Sequence, residues 1–281
     1  MKKILLSMAI LATSIVSGCA QKQAANSEQA EGSNNRVLVL YYSETGTTKT
    51  VAQELQQQLQ ADIEGIEAVE PYSGNFQETI QRSQRERESG TTPELKPLKS
   101  QIADYDVIFL GYPIWFGTYA MPIATLVKAN DFAGKKIVPF CTFGSGGLNT
   151  SSEDLKKALP KASIQKGYGV RTARVAAAAK ELNRFLIENG YKKGTVDKLS
   201  DYSAQQPVTE QDKAIFDAAC SSYQFPLGTP VTVGQRESAE STDYQFTVKS
   251  RGMDGKEGTS TIFVTVGKEK DAKPEFTEVV R

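Results

Sequence analysis

VLVLYYSETGTTKT, residues 37–50, decides the reading of this chain. A run of strand formers, residues 37–42, stops at Ser43-Glu44-Thr45-Gly46-Thr47-Thr48, and a helix-compatible segment, residues 51–59, follows. Strand, hydroxyl-rich turn and helix start together make a site for a phosphate-sized anion. The first N–H groups of a helix lack intrahelical partners and carry partial positive charge. The hydroxyls of Ser43, Thr45, Thr47 and Thr48 add donors, and Gly46 lets the backbone come close. Such a turn holds a phosphate monoester without a lysine clamp, so Lys49 reads as a solvated helix residue and the Glu44 side chain is expected to face solvent. The Walker pattern GxxxxGK[ST] is absent, and so is GxGxxG. The plain alternative is an ordinary βα turn with a Ser or Thr cap.

The rest of the composition removes several kinds of chemistry. The 281 residues suggest one large or two ordinary domains. Lys and Arg balance Asp and Glu at 33 each, so no nucleic-acid or polyanion partner is indicated. Histidine is absent, which removes Ser-His-Asp and Cys-His machinery and the commonest metal ligand, and no metal is expected. Cys141 and Cys220 form no CxxC pair and read as two buried free thiols rather than a disulfide.

The N-terminus reads as a processing signal. Lys2 and Lys3 precede a short apolar run, residues 4–16, that is too short for a typical spanning helix. It ends in Val16-Ser17-Gly18-Cys19, which resembles a bacterial lipobox. That resemblance implies a signal peptide over residues 1–18, lipidation of Cys19 and a membrane held through the lipid anchor. A plain secretory signal is the alternative. Residues 19–35 would then be a lipidated polar tether, and the protein would sit in the bacterial cell envelope on the extracytoplasmic side.

From residue 36 onward, apolar runs alternate with amphipathic stretches. Strands are predicted at residues 37–42, 63–69, 107–112, 136–143 and 162–170, and helices to about residue 60 and over 76–88, 122–129, 151–159 and 173–188. The helix at 151–159 has Ser151 or Ser152 as its expected cap. Five β–α units in this order predict a parallel sheet with helices on both faces. Residues 191–207 read as a linker. Beyond it, a helix over 211–223 and four alternating strands over 230–236, 244–249, 261–266 and 276–280 predict a small α+β domain spanning 208–281, with a turn region at 251–258. One helix and a meander resemble the cystatin-type helix-on-sheet arrangement.

The loop at residues 43–48 resembles the phosphate loop of flavodoxins, and two further stretches extend the resemblance over residues 36–190. The third strand is followed by Pro113-Ile114-Trp115-Phe116-Gly117, which holds the chain's one tryptophan. The string GYPIWFG with Met121-Pro122 is similar to a lipoprotein branch of bacterial flavodoxins. The fourth strand is followed by Thr142-Phe143-Gly144-Ser145-Gly146-Gly147. The resemblance implies a doubly wound α/β sheet of order 2-1-3-4-5 with flavin mononucleotide (FMN) at the crevice between the first and third strands. By position, Ser43, Thr45, Gly46, Thr47 and Thr48 would hold the phosphate. Pro113, Ile114, Trp115, Phe116 and Gly117 would border the flavin ring, with Trp115 stacked on it. Thr142, Phe143, Gly144, Gly146 and Gly147 would close the other edge.

One feature departs from the family pattern. Electron-shuttle flavodoxins are usually strongly acidic, whereas residues 36–190 hold 18 Lys and Arg against 17 Asp and Glu. A near-neutral domain speaks against a diffusing shuttle and leaves room for a reductase, whose substrate stacks on the flavin, or for a tethered electron carrier with a fixed envelope redox partner, not named by the sequence. An FMN-dependent NAD(P)H quinone reductase-like enzyme and a non-catalytic binding lipoprotein are the other two readings. Side-chain catalytic residues are expected in none of them.

Overall fold

The opening apolar run becomes β1 (Val37–Tyr41), in which Leu38, Val39 and Leu40 are fully buried. A strand covered on both faces is what an unbroken apolar run dictates. It lies between β2 (Asp62–Gly65) and β3 (Val107–Trp115) and is parallel to both. The computed structural model describes residues 35–251 and 257–281. The expected signal peptide, Cys19 and the tether up to residue 34 lie outside the described residues, as do residues 252–256 of the turn region.

Next to β3 lies β5 (Lys136–Phe143), and the last parallel position is shared by two short strands, β6 (Ser163–Ile164) and β7 (Tyr168–Arg171). The order β2-β1-β3-β5-β6, with β7 also on β5, is the expected 2-1-3-4-5 arrangement. The single strand predicted over residues 162–170 is thus broken in two. The β1 side chains alternate between two cores. Leu38 and Leu40 meet Ile123 and Leu126 of α3 (Met121–Ala129) and Leu155 of α4 (Leu148–Ala158). Val39 meets Val51 and Leu55 of α1 (Thr47–Leu59) and Leu182 and Leu186 of α5 (Ala178–Glu188). A 3-10 segment, Thr172–Ala177, precedes α5 where one continuous helix is expected from sequence.

Two helix boundaries bear on the site. α1 starts at Thr47, four residues earlier than the apolar pattern suggests, so the turn feeds directly into its first N–H groups. α4 starts at Leu148 after Gly147, whose φ of 126° suits glycine, and no side chain caps it. Ser151 is therefore inside the helix and not a cap. Its hydroxyl donates to the Leu148 carbonyl (3.0 Å) and accepts from the Tyr112 phenol (3.2 Å). The polar α2 (Phe76–Ser89) is capped by Asn75, whose side chain accepts from the N–H groups of Gln77 and Glu78, and stops at Gly90 (φ 69°).

The C-terminal region is one helix on an antiparallel sheet, as predicted. α6 (Glu210–Cys220) begins with a capping box in which Thr209 and Asp212 satisfy each other's N–H groups. The strands are β8 (Gln206–Pro207), β9 (Thr229–Glu237), β10 (Ser241–Arg251), β11 (Glu257–Gly267) and β12 (Glu275–Val280), in the order β12-β11-β10-β9-β8. Phe216 of α6 packs on Phe246, Ile262, Val264 and Phe276 of the sheet. The expected linker is shorter than residues 191–207, because Gln206 and Pro207 pair with β9. The cystatin-type likeness extends no further than this outline. Cys141 and Cys220 are both unpaired.

Candidate cofactor site

At the carboxyl end of β1 the chain turns through Gly46, whose φ of 88° favours glycine, into the uncapped start of α1. Among the described residues, the N–H groups of residues 43–48 have no acceptor. Six unused donors at one helix end form a cradle for an anion. Nothing lies within 4 Å of the position where a Gly46 side chain would start, so the approach is open. The hydroxyls of Thr45 and Thr47 lie 3.4 Å apart and face out, and Ser43 Oγ accepts from the Lys49 N–H (3.2 Å). Lys49 itself is exposed.

Glu44 does not face free solvent as expected. It accepts from the Tyr42 phenol and from the Gly74 N–H (2.9 Å), so the phosphate loop braces the entry to α2. Burial, reinforced by Glu44, holds the Tyr42 phenol well above the ordinary tyrosine range, which keeps it a donor.

The second loop is a hairpin. β3 runs on to Trp115, and β4 (Thr118–Tyr119) folds back with Ile114 opposite Tyr119 and Trp115 opposite Thr118. Phe116 (φ 51°) and Gly117 (φ 81°) are both left-handed, the signature of the primed turns whose twist suits a two-residue hairpin. A left-handed phenylalanine is uncommon, and this one stays 45% exposed, with the Arg87 guanidinium 4.9 Å from its ring centre. Trp115 stands edge-on to Tyr72 (5.0 Å between centroids) and Tyr42 (5.9 Å), so packing fixes its ring orientation while part of it stays accessible. Pro113 lies opposite Thr142 in the sheet, and Thr118 Oγ1 donates to Asp154 of α4 (2.8 Å).

The third loop touches both others. Thr142 Oγ1 lies 2.8 Å from Thr48 Oγ1, and both residues are buried. A Cβ added to Gly147 would lie 2.7 Å from Ile114 Cγ2 and 3.3 Å from the Gly117 carbonyl oxygen, so only glycine fits against the hairpin. Phe143 is buried with its ring toward Gly169, which leaves only its backbone to border a ligand. Among the described residues, the N–H groups of residues 144–148 have no acceptor, a second row of free donors, here at the start of α4. The Gly144 carbonyl accepts from Arg171 Nε (2.8 Å) and the Ser145 carbonyl from the Val279 N–H (2.7 Å). Gly146 turns its α-carbon toward the Val279 carbonyl of β12, 2.3 Å from where a Cβ would stand.

The three predicted loops thus meet at one end of the sheet, at the crevice beside β1 and β3. The flavodoxin family profile matches residues 36–186, more than half of the chain. The chain belongs to the flavodoxin family. A candidate flavoprotein from Bacteroides eggerthii is 30% identical over 53% of this chain and 99% of its own, with a TM-score of 0.46. Another from Bacteroides uniformis is 27% identical over 53% and 98%, with a TM-score of 0.48. A flavoprotein from Lactobacillus acidophilus, solved in complex with FMN, is 20% identical over 52% and 99%, with a TM-score of 0.43. No curated protein matches. In this flavodoxin the region after residue 186 lies beyond the family match, and it supplies groups that sequence reading did not find. Val279 carries no motif of its own. Arg171 is the last residue of β7, and nothing in the sequence marks its reach to the loop 27 residues earlier. Tyr42, Tyr72 and Glu44 were equally unmarked as supports of Trp115 and the phosphate loop.

Proposed function

We propose that the protein is an FMN-binding electron-transfer lipoprotein of the bacterial cell envelope. The carrying observation is the row of unused N–H groups over residues 43–48 at the start of α1. Those donors, with the exposed hydroxyls of Thr45 and Thr47, fit a phosphate monoester dianion. The remaining donor set fits the flavin head. Trp115 and Phe116 offer planar apolar surface, and the free N–H groups of residues 144–148 match the carbonyl-rich edge of an isoalloxazine ring. FMN is the cofactor, and when bound it supplies reversible one- and two-electron transfer.

The chain's own contribution is binding and orientation. The phosphate loop anchors the monoester, the Trp115 hairpin sets the ring plane, and the glycine loop presents donors to its polar edge. No residue needs to act as a base, which agrees with the absence of histidine. The near balance of charge over residues 36–190 supports delivery to a fixed envelope partner over long-range steering of a diffusing one. Cys19 and the apolar run before it support a lipid anchor on the extracytoplasmic side.

The test is the purified full chain. It is expected to be yellow, or to take up added FMN, and to prefer FMN over riboflavin; a colourless protein that takes up no FMN overturns the reading. Rapid bleaching by NADPH in stopped flow would favour the reductase reading over electron transfer. Labelling with a radioactive fatty acid that depends on Cys19 tests the anchor, and a Cys19→Ser chain that still carries label would remove it.

A further inference from the structure

The loop after β5 lies between two walls. On one side, Gly147 fits against Ile114 and Gly117 of the Trp115 hairpin. On the other, β12 of the C-terminal domain runs past it. Among the described residues, sheet pairing leaves β12 at an edge, next to β11. Val279 lies opposite Ile262 of β11, and both its N–H and its carbonyl face away from that partner and toward the loop. An open strand edge is thus covered by the loop.

These contacts act on the orientation of the loop's donors. Gly144, Gly146 and Gly147 make the segment conformationally permissive on its own. In a trans peptide the carbonyl of one residue and the N–H of the next point in opposite directions, and no cis peptide is present among the described residues. The Gly144 carbonyl is held by Arg171 Nε, which turns the Ser145 N–H away from Arg171. The Ser145 carbonyl is held by the Val279 N–H, which turns the Gly146 N–H away from β12. Arg171 joins the two regions directly, because its second nitrogen donates to the Phe276 carbonyl (3.0 Å) and its guanidinium lies 4.1 Å from the Phe276 ring centre. Val279 of β12, and Arg171 of β7 tied to the Phe276 carbonyl, therefore set two peptide planes of a loop that belongs to the flavodoxin part.

Resting on the FMN reading above, we propose that the C-terminal domain is a working part of the cofactor site: Val279 of β12 and Arg171 are positioning residues that aim the N–H groups of Ser145 and Gly146 at the polar edge of the flavin. Their contribution sets the affinity for the ring and its midpoint potential. Among the described residues no hydrogen bond joins β12 to the phosphate loop, so the effect falls equally on FMN and riboflavin.

The experiment uses the full chain, three test variants and one control variant. Val279→Pro removes the N–H at an edge position whose loss leaves the ladder with β11 intact. Gly146→Ala drives a methyl group against the Val279 carbonyl. Arg171→Lys keeps the charge and loses the two-pronged contact. Val248→Ala, a core-trimming change in β10 away from β12, serves as a control for lost stability alone. Isothermal titration with FMN and with riboflavin, and the midpoint potential by spectroelectrochemistry, are the readouts. The three loop variants are expected to weaken both ligands by about tenfold, by the same factor, and to shift the potential. Val248→Ala is expected to lower the melting temperature and change neither. Loop variants that lose melting temperature but keep affinity and potential overturn the proposal while leaving the FMN reading intact. A parent protein that binds no FMN removes both.

Discussion

Thr48 and Thr142 join hydroxyl to hydroxyl at 2.8 Å, across 94 residues of sequence. The contact ties the first turn of α1 to the end of β5, and so the phosphate loop to the glycine loop. Both residues are almost fully buried, so neither hydroxyl can turn to water if its partner is lost. Thr142→Val should therefore cost about 1–2 kcal/mol of stability by leaving a buried hydroxyl unpaired. Thr48→Val with Thr142→Val should cost less than the sum of the single changes. Urea unfolding of the cofactor-free protein measures the three variants, and additive losses would show that the pair has no coupling.

The exposed hydroxyls of the same loop predict a ligand preference. Thr45→Ala combined with Thr47→Ala should weaken FMN by roughly tenfold, the scale of one or two hydrogen bonds to a charged group, and leave riboflavin unchanged. Parallel titrations of the two ligands check it, and equal loss for both would remove these hydroxyls from the phosphate contact.

Trp115 is the single tryptophan, so its emission reports on one place. Its ring is held edge-on by Tyr42 and Tyr72. FMN addition should quench that emission in a saturable way. Trp115→Leu should weaken FMN and riboflavin alike by roughly 3- to 10-fold, the range of an aromatic contact beyond burial. Unchanged emission at saturation would place the ring away from the tryptophan.

Glu278 of β12 predicts a dependence on pH. Burial raises its carboxyl from 4.5 to about 7. Below pH 4.5 it is protonated in the folded and unfolded chains, and it adds no linked penalty. Between 4.5 and about 7 the unfolded chain releases the proton and the folded chain keeps it, so stability falls as pH rises; above 7 the penalty is constant. Glu278→Gln should therefore raise the melting temperature most at pH 8, with the gain shrinking to nothing near pH 4.5. Differential scanning calorimetry across that range measures it, and a gain that grows toward acid pH would contradict the burial of this carboxyl.

Much of the fold was legible because its strands are buried on both faces. Residues 107–112 and 137–141 carry nearly continuous apolar runs, and the parallel sheet follows from their alternation with helices. The phosphate loop was legible because its chemistry is local: hydroxyls, a glycine and a helix start lie within six residues. The start of α4 was misread because Ser151 and Ser152 look like caps, whereas the cap position is Gly147, pressed against Ile114 by a tertiary contact that no local signal encodes. Glu44 was read as solvated because its partners, Tyr42 and Gly74, meet it through a turn and the approach of α2. The hold of Arg171 and Val279 on the glycine loop was invisible for the same reason. Carbonyl acceptors belong to every residue and leave no trace in composition.

Ser145 and Val279 bond across 134 residues of chain, and this separation orders events in time. During synthesis, the phosphate cradle and the tryptophan hairpin emerge well before β12 does. Contacts of such long span form late, because the intervening loop must close first. Chain order and loop closure thus favour a phosphate anchor first and a fixed ring pocket second. On the proposal above, a chain halted before β12 would carry the anchor without the Val279 contact, and cofactor loading would depend on completion of the second domain.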